Sequence, residues 1–244
     1  MISRADVQNA LLALYPEPSY LEIGVAKGAT FDAVRAIRKV AVDPRFRFDP
    51  GEARDEDPAA TYHEVPSDVY FGEIIEPTEQ FDVIYLDGLH TSEQTLRDFA
   101  NATRYATPTG VIIIDDVFPL SYAAAMRDQV RARAVRQATN SRRGWMGDVY
   151  RLVFFVETFY QQVSFATVEE NHGQLVVWPQ RRRSVPDRTI EAVGRSPYAD
   201  VHLQRSAFNF LPLEEIVRRV ATAIGVPVPA IDEPDQLTPA SSKA

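Results

Sequence analysis

The sequence predicts an α/β fold, a doubly wound and mostly parallel sheet with helices on both faces. Short apolar runs alternate with amphipathic stretches over residues 1–155, the pattern of successive βαβ units. Runs such as Val111-Ile112-Ile113-Ile114 are apolar on both sides, as strands of a parallel sheet covered on both faces must be. The length of 244 residues suits one domain, because single cores rarely grow beyond about 250–300 residues.

The elements follow in order. Ala5 to Leu14 carries apolar positions at helical spacing, and Pro16 and Pro18 end that helix. Tyr20 to Val25 is the first strand and runs into a glycine turn, after which Thr30 to Ile37 returns to the helical period. Val40 to Asp43 is the second strand, closed by Pro44. Arg45 to Ala60 is charged and rich in Pro and Gly, which predicts a mobile loop. Tyr62 to Val65 is the third strand, and Asp68 to Ile75 a helix. Phe81 to Asp87 is the fourth strand and Ser92 to Tyr105 the next helix. Pro108-Thr109-Gly110 turns the chain into a fifth strand, Val111 to Asp115.

Leu120 to Ala138 is expected to be one long basic helix, and Asp148 to Phe159 fits helix or strand equally. Gln162 to Val168 and Gln174 to Trp178, joined across Glu169-Glu170-Asn171-His172-Gly173, form an antiparallel hairpin. Added to the five parallel strands, it makes a seven-stranded Rossmann-like sheet with an antiparallel edge. Leu213 to Ile224 is the last helix. The single domain is expected over residues 1–225, and the small polar residues and prolines of 226–244 predict a disordered tail.

With 26 basic against 34 acidic residues, the net charge of −8 disfavours nucleic acid and anionic membrane as partners. The chain has no cysteine, which removes disulfides, thiolate metal sites and cysteine nucleophiles. The N-terminus lacks a signal-peptide core, and no stretch has the ~18 apolar residues of a membrane span, so a cytoplasmic protein is expected.

Glu22, Gly24 and Gly28 sit where the first strand turns towards a helix. Glycines there let the backbone approach a ligand closely, and the next helix start offers free N–H groups. A carboxylate beside this turn suits a ligand carrying an ammonium group. Asp43, ending the second strand ~20 residues on, suits ribose hydroxyls. A nicotinamide dinucleotide fits less well, because its Gly-x-Gly-x-x-Gly fingerprint lacks the middle glycine here, and Glu22 would repel a pyrophosphate.

Glu22-x-Gly24-x-x-x-Gly28 with Asp43 resembles the cofactor signature of class I S-adenosylmethionine-dependent methyltransferases. Tyr85-Leu86-Asp87-Gly88-Leu89-His90-Thr91, Ile113-Ile114-Asp115-Asp116 and Gly147-Asp148-Val149-Tyr150 resemble the macrocin and mycinamicin type of sugar O-methyltransferase within it. The resemblance spans residues 18–160. It implies that Asp87, Asp115 and Asp116 hold a metal, that His90 deprotonates the acceptor hydroxyl, and that Ser67 and Asp68 lie towards the adenine.

The strand-end acids carry a physical argument of their own. Ligands of an open parallel sheet bind beyond the carboxyl ends of its strands, and neighbouring strands lie ~5 Å apart. Asp87, Asp115 and Asp116 therefore converge and would raise one another's pKa unless a cation compensates them. Oxygen ligands point to a hard ion, Mg²⁺ or another hard divalent cation. The competing reading is that Asp115 or Asp116 caps a helix, and that His90 only orients an aspartate. His63, His172 and His202 lack such a context and are expected at the surface or in packing, as is the turn Arg181-Arg182-Arg183. Trp145 and Tyr150 are core residues or line the acceptor pocket.

The expected reaction is in-line transfer of a methyl group to a hydroxyl of a small molecule, a sugar or a phenol, with catalytic His90 and Asp87. The macrolide sugar enzymes carry a longer N-terminal region that encloses the acceptor and builds oligomers. Here the segment ahead of the first strand is about twenty residues, so a homo-oligomer is an option and not a requirement. The alternatives are an NAD-dependent oxidoreductase on the same fold, or a non-catalytic binding subunit.

Overall fold

A computed structural model of the chain describes residues 2–140 and 144–227. The expected disordered tail lies, from residue 228 onward, outside the described residues. In chain order the elements are α1 (Arg4–Leu12), β1 (Ser19–Ile23), β2 (Arg38–Val42), α2 (Pro50–Glu56), β3 (Ala60–His63) and α3, a helical turn Ser67–Val69 continuing as a π-helical turn Tyr70–Ile74. Then come β4 (Phe81–Leu86), α4 (Ser92–Tyr105), β5 (Ala106–Ile114), α5 (Gln129–Ala138), α6 (Arg151–Phe159), β6 (Ser164–Val168) and β7 (Leu175–Trp178). The chain closes with α7 (Ile190–Arg195), α8 (Ala199–Leu203), β8 (Phe210–Leu211) and α9 (Leu213–Ile224).

The sheet order is β3-β2-β1-β4-β5-β7-β6-β8. The first five strands pair in parallel and β7 runs antiparallel to β5 and β6, as the hairpin pattern implied. The sheet has eight strands and not seven, because Phe210–Leu211 adds parallel to the end of β6. Two residues are too few to show a period. The alternation along the strands splits the core in two. Leu21, Ile23, Ile84, Leu86, Ile112 and Ile114 pack with α4 and α6 on one face; Tyr20, Val83, Tyr85, Val111 and Ile113 pack with α1 and α9 on the other. No helix among the described residues is long and apolar enough to cross a membrane.

Three expectations are corrected. The helix expected over Thr30 to Ile37 is a single 3₁₀ turn, Phe31–Ala33. Side chains take the backbone groups that a helix would have paired internally. Asn9 Nδ2 donates to Ala33 O, Asn9 Oδ1 accepts from Arg35 N–H, and buried Lys39 donates to Phe31 O and Val34 O. The loop Arg45 to Ala60 contains α2, capped by Asp49, and is pinned by Phe46 and Phe48 on Tyr62 and by a 2.6 Å Lys39–Asp57 ion pair. The long basic helix starts only at Gln129, where Asp128 caps it. Upstream, Ala124 O accepts from Met146 N–H and Gly147 N–H, which takes it out of any helical ladder.

Candidate functional site

The carboxyl ends of β1, β2 and β4 open into a cleft of about 690 Å³, within the range of small-molecule sites. Its wall brings together the sequence-predicted residues Glu22, Gly24, Asp43, Ser67, Asp87 and His90. Gly28 is in the same turn but does not line the cleft. It has φ +81°, and its Cα faces Asp32. The turn is left-handed at Gly24 (φ +90°), Ala26 (φ +50°) and Gly28. At Gly24 glycine is required twice over. A β-carbon there would lie 2.1 Å from Asp87 O, so the close approach of β1 to β4 depends on its absence.

Asp43 holds this turn. Its Oδ2 accepts from Val25 N–H (2.9 Å) and Ala26 N–H (2.8 Å), and its Oδ1 from Arg45 N–H (2.7 Å). The turn amides that a pyrophosphate would want are therefore engaged, which weighs against a dinucleotide. With no long helix after the turn, the free helix start expected there is absent too. Oδ1 keeps acceptor capacity for a ligand hydroxyl. Glu22 is almost wholly buried, with one oxygen accepting from Tyr20 OH at 2.7 Å. Burial pushes its carboxyl up to about 8, against the opposing hydrogen bond from Tyr20. Ser67 Oγ accepts from Gln94 Nε2 (3.3 Å), which also reaches Asp68 and Asp98.

The far end of the cleft meets the acid cluster. Asp87 N–H donates to Ile23 O and Asp115 N–H to Leu86 O, so both acids continue the parallel ladder beyond the strand ends. Asp116 follows at φ +58°, a conformation costing an aspartate about 1–2 kcal/mol. Val117 N–H holds it there by donating to Gly173 O. The three carboxylates do not form one ligand set: Asp116 groups with Asp87 and His90 on one side and with Asp115 and His172 on the other, and all three acids meet at Arg4. Arg4, the first residue of α1, donates through Nε to Asp115 Oδ2, with Nη2 3.8 Å from Asp116 and Nε 4.0 Å from Asp87. His172 Nε2 lies 2.9 Å from Asp115 Oδ1.

The charges follow this geometry. Burial would raise the Asp115 carboxyl, but His172 and Arg4 overcome it and hold it at about 2. Burial, then the charges of Asp115 and Asp116, push Asp87 well above the usual carboxylate range. Asp116 is raised by burial and by Asp115. The cluster is thus only partly compensated by its own cations.

His90 stands between cleft and cluster. Its Nε2 is 3.7 Å from Asp87 Oδ1, and its Nδ1 is paired with Asp116 Oδ2. Ligand atoms of Asp87, His90 and Asp116 lie within 4.8 Å of one another, as do those of Asp115, Asp116 and His172. Trp145 stacks on the His90 ring at 5.0 Å and 23°. Tyr150, by contrast, is a core residue whose hydroxyl donates to Ser196 O.

Arg4, His172 and Asp148 were not foreseen as site residues. His172 is corrected from a surface or packing role, because the β6–β7 hairpin carries it onto Asp115. His63, half-buried beside Tyr70, and exposed His202, bonded to Tyr198, have the packing and surface roles expected of them. Asp148 is buried and caps α4 from a distance, accepting from Ser92 N–H (2.8 Å) and Ser92 Oγ (3.1 Å) while paired with Arg151 (2.7 Å). Gly147 permits the approach, since a β-carbon there would lie 1.7 Å from His90 O. The sequence signal for both was the Gly147-Asp148 pair, which reads as support for the His90 loop only once the fold is known.

Residues 21–117 match a family model described as a methyltransferase domain. No curated protein gives a match. Among solved structures, a candidate caffeoyl-CoA O-methyltransferase from Staphylococcus aureus is 15% identical, with a TM-score of 0.50 over 73% of this chain and 85% of that one. An O-methyltransferase from Bacillus cereus, solved with S-adenosylhomocysteine, is 17% identical, with a TM-score of 0.47 over 72% and 81%. The O-methyltransferase TomG from Streptomyces achromogenes, solved with S-adenosylmethionine, is 16% identical, with a TM-score of 0.48 over 74% and 82%. The likeness to the first of these is one of fold, and it agrees with the class I methyltransferase architecture that the sequence resemblance implied.

Proposed function

With a methyltransferase domain over residues 21–117, we propose that this chain is an S-adenosylmethionine-dependent O-methyltransferase acting on a hydroxyl of a small molecule, with sugars the first acceptors to try. One observation carries the reading. A single cleft is lined by Glu22 and Asp43 together with Asp87 and His90. Groups suited to an amino-acid moiety and a ribose therefore share a wall with a candidate base.

Glu22 faces the ammonium of the methyl donor. Asp43 uses Oδ1 for the ribose while Oδ2 fixes the turn beneath it, and Ser67 borders the adenine end. A sulfonium methyl is already activated, so the chain's share is alignment and removal of the acceptor proton. His90 accepts that proton, with the Asp87 carboxylate 3.7 Å from Nε2 to stabilise the imidazolium, and the Trp145 ring fixes its plane. A second cleft of about 560 Å³ is lined by Trp145 and Val130 and by the polar Gln129, Arg133, Arg136 and Asn140. This mixture of an aromatic ring with amide and guanidinium groups suits a sugar acceptor.

The partly compensated carboxylates, with ligand atoms of Asp87, His90 and Asp116 within 4.8 Å of one another, fit a divalent cation. Asp87, Asp115 and Asp116 would hold it, and such an ion, Mg²⁺ or Mn²⁺ by its oxygen ligands, supplies Lewis-acid polarisation of the acceptor hydroxyl when bound.

Calorimetry with S-adenosylmethionine and S-adenosylhomocysteine, in Mg²⁺ and in EDTA, tests the donor. Transfer of labelled methyl to a panel of sugars and phenols tests the reaction. Micromolar donor binding, and turnover that falls about 10²–10⁴-fold in His90→Gln with donor affinity unchanged, is the expected result. Absence of binding at millimolar donor under both metal conditions refutes the proposal.

A further inference from the structure

We propose that Arg4 is the resident cation of the acid cluster and competes with a divalent ion for the same carboxylates, so that metal enters only as the Arg4 side chain leaves. The inference rests on reading Asp87, Asp115 and Asp116 as the cation site.

The capping box of α1 sets the position. Ser3 Oγ accepts from Asp6 N–H and Asp6 accepts from Ser3 N–H, which makes Arg4 the first helical residue. Val7, Leu11 and Leu12 then anchor the helix in the core on the α9 side of the sheet. The backbone of Arg4 is thus fixed while its long side chain lies across the mouth of the cluster, 38% exposed. All three acids are within 4.0 Å of its nitrogens. No other lysine or arginine among the described residues is paired with any of them.

The contact is strong in charge and poor in shape. A guanidinium binds a carboxylate best as a two-pronged fork. Here Nε alone reaches Asp115, and Nη2 stays 3.8 Å from Asp116 Oδ1, too far for a second bond. One guanidinium offsets a single charge among the three acids, and a divalent ion in its place offsets two. With all three acids within 4.0 Å of the guanidinium nitrogens, a divalent ion held by those acids would meet a like charge at contact, so the two exclude each other. The exit is open, because the guanidinium swings into solvent about a stem whose helix need not move. Metal affinity is therefore set from outside the metal shell, by a residue of the N-terminal helix.

The test is Mn²⁺ binding, by calorimetry and by loss of the free-ion paramagnetic signal, to wild type, Arg4→Met, Arg4→Lys and Asp116→Asn. The expected result is at least tenfold tighter binding in Arg4→Met, about the wild-type value in Arg4→Lys, and loss in Asp116→Asn. Arg4→Met should also gain more in Tm from Mn²⁺ than wild type does. Equal affinity in wild type and Arg4→Met, with loss in Asp116→Asn, overturns the competition and leaves the metal reading standing. No binding in any of them overturns both. A second readout needs no folded variant at position 4. The hydrogen-bonded Arg4 Nε–H of ¹⁵N-arginine-labelled wild type should give a protected resonance that disappears on saturation with Mg²⁺. Its persistence at saturation overturns the proposal.

Discussion

Glu22 provides the most direct check on the cofactor reading, because its buried carboxyl is held near 8 in the free protein. A group with that pKa carries about 0.9 proton at pH 7, about 0.5 at pH 8 and about 0.1 at pH 9. An ammonium placed against it would return it towards the ordinary carboxylate range, since an opposite charge at contact favours the ionised form. Donor binding at pH 7 should therefore release close to one proton, and release should fade as the pH rises through 8. The assay is S-adenosylhomocysteine calorimetry in buffers of different ionisation enthalpy, where the slope of observed enthalpy against buffer enthalpy counts the protons. In Glu22→Gln the slope should fall to near zero. A slope near zero for wild type at pH 7 with binding intact, or an unchanged slope in Glu22→Gln, refutes the placement of Glu22 against the ammonium.

The same shift has a consequence for stability. A carboxyl raised in the folded state contributes fully below its unfolded value near 4.5, and the contribution is lost as pH rises through 8. The shift corresponds to about 5 kcal/mol as an upper figure. The donor-free protein should thus lose Tm between pH 5 and 9, and Glu22→Gln should flatten that decline.

Gly24→Ala adds a β-carbon 2.1 Å from Asp87 O at φ +90°; strain and overpacking together cost about 3–5 kcal/mol. Thermal unfolding should show a loss of about 10 °C for a domain of this size, whereas Gly72→Ala, where a β-carbon meets open space, should not change Tm. Asp148→Ala removes the remote cap of α4 and leaves Arg151 without its partner, at about 1–3 kcal/mol. Steady-state kinetics should show a lower kcat with donor affinity kept, because the His90 loop loosens while the Glu22 end does not; Asp148→Asn should recover part of the loss.

Most of the parallel sheet was legible because each strand is a short apolar run closed by a glycine, a proline or an aspartate. α4 and α9 have the bounds that their amphipathic period indicates. What misled was periodicity without its competitors. Thr30 to Ile37 has the apolar spacing of a helix, yet Phe31 and Val34 are buried by a turn whose carbonyls are served by Asn9 and Lys39. Leu120 to Ala138 looks continuous until the chain at Met146 and Gly147 returns to take Ala124 O. Both are cases of tertiary contacts overriding a weak local preference.

The site was legible to the extent that it lies at strand ends. Glu22 is the penultimate residue of β1, and Asp43, Asp87, Asp115 and Asp116 follow β2, β4 and β5 almost directly, so the sheet alone brings them to one edge. The electrostatics at that edge depend on residues without any such address. Arg4 precedes the first strand and His172 sits on a hairpin loop, and each arrives at Asp115 from more than fifty positions away in sequence. Three converging acids demand positive charge from somewhere, and that demand is legible in the strands. Its source is decided by how α1 and the β6–β7 hairpin dock on the sheet. Asp115, held at about 2 by His172 and Arg4, and Asp87, pushed up, show how unevenly those partners serve the acids. A rigid carboxylate edge with a movable cation is consistent with a site whose charge is set by occupancy. In such a site the acids could be inferred from the sequence, whereas Arg4 required the fold.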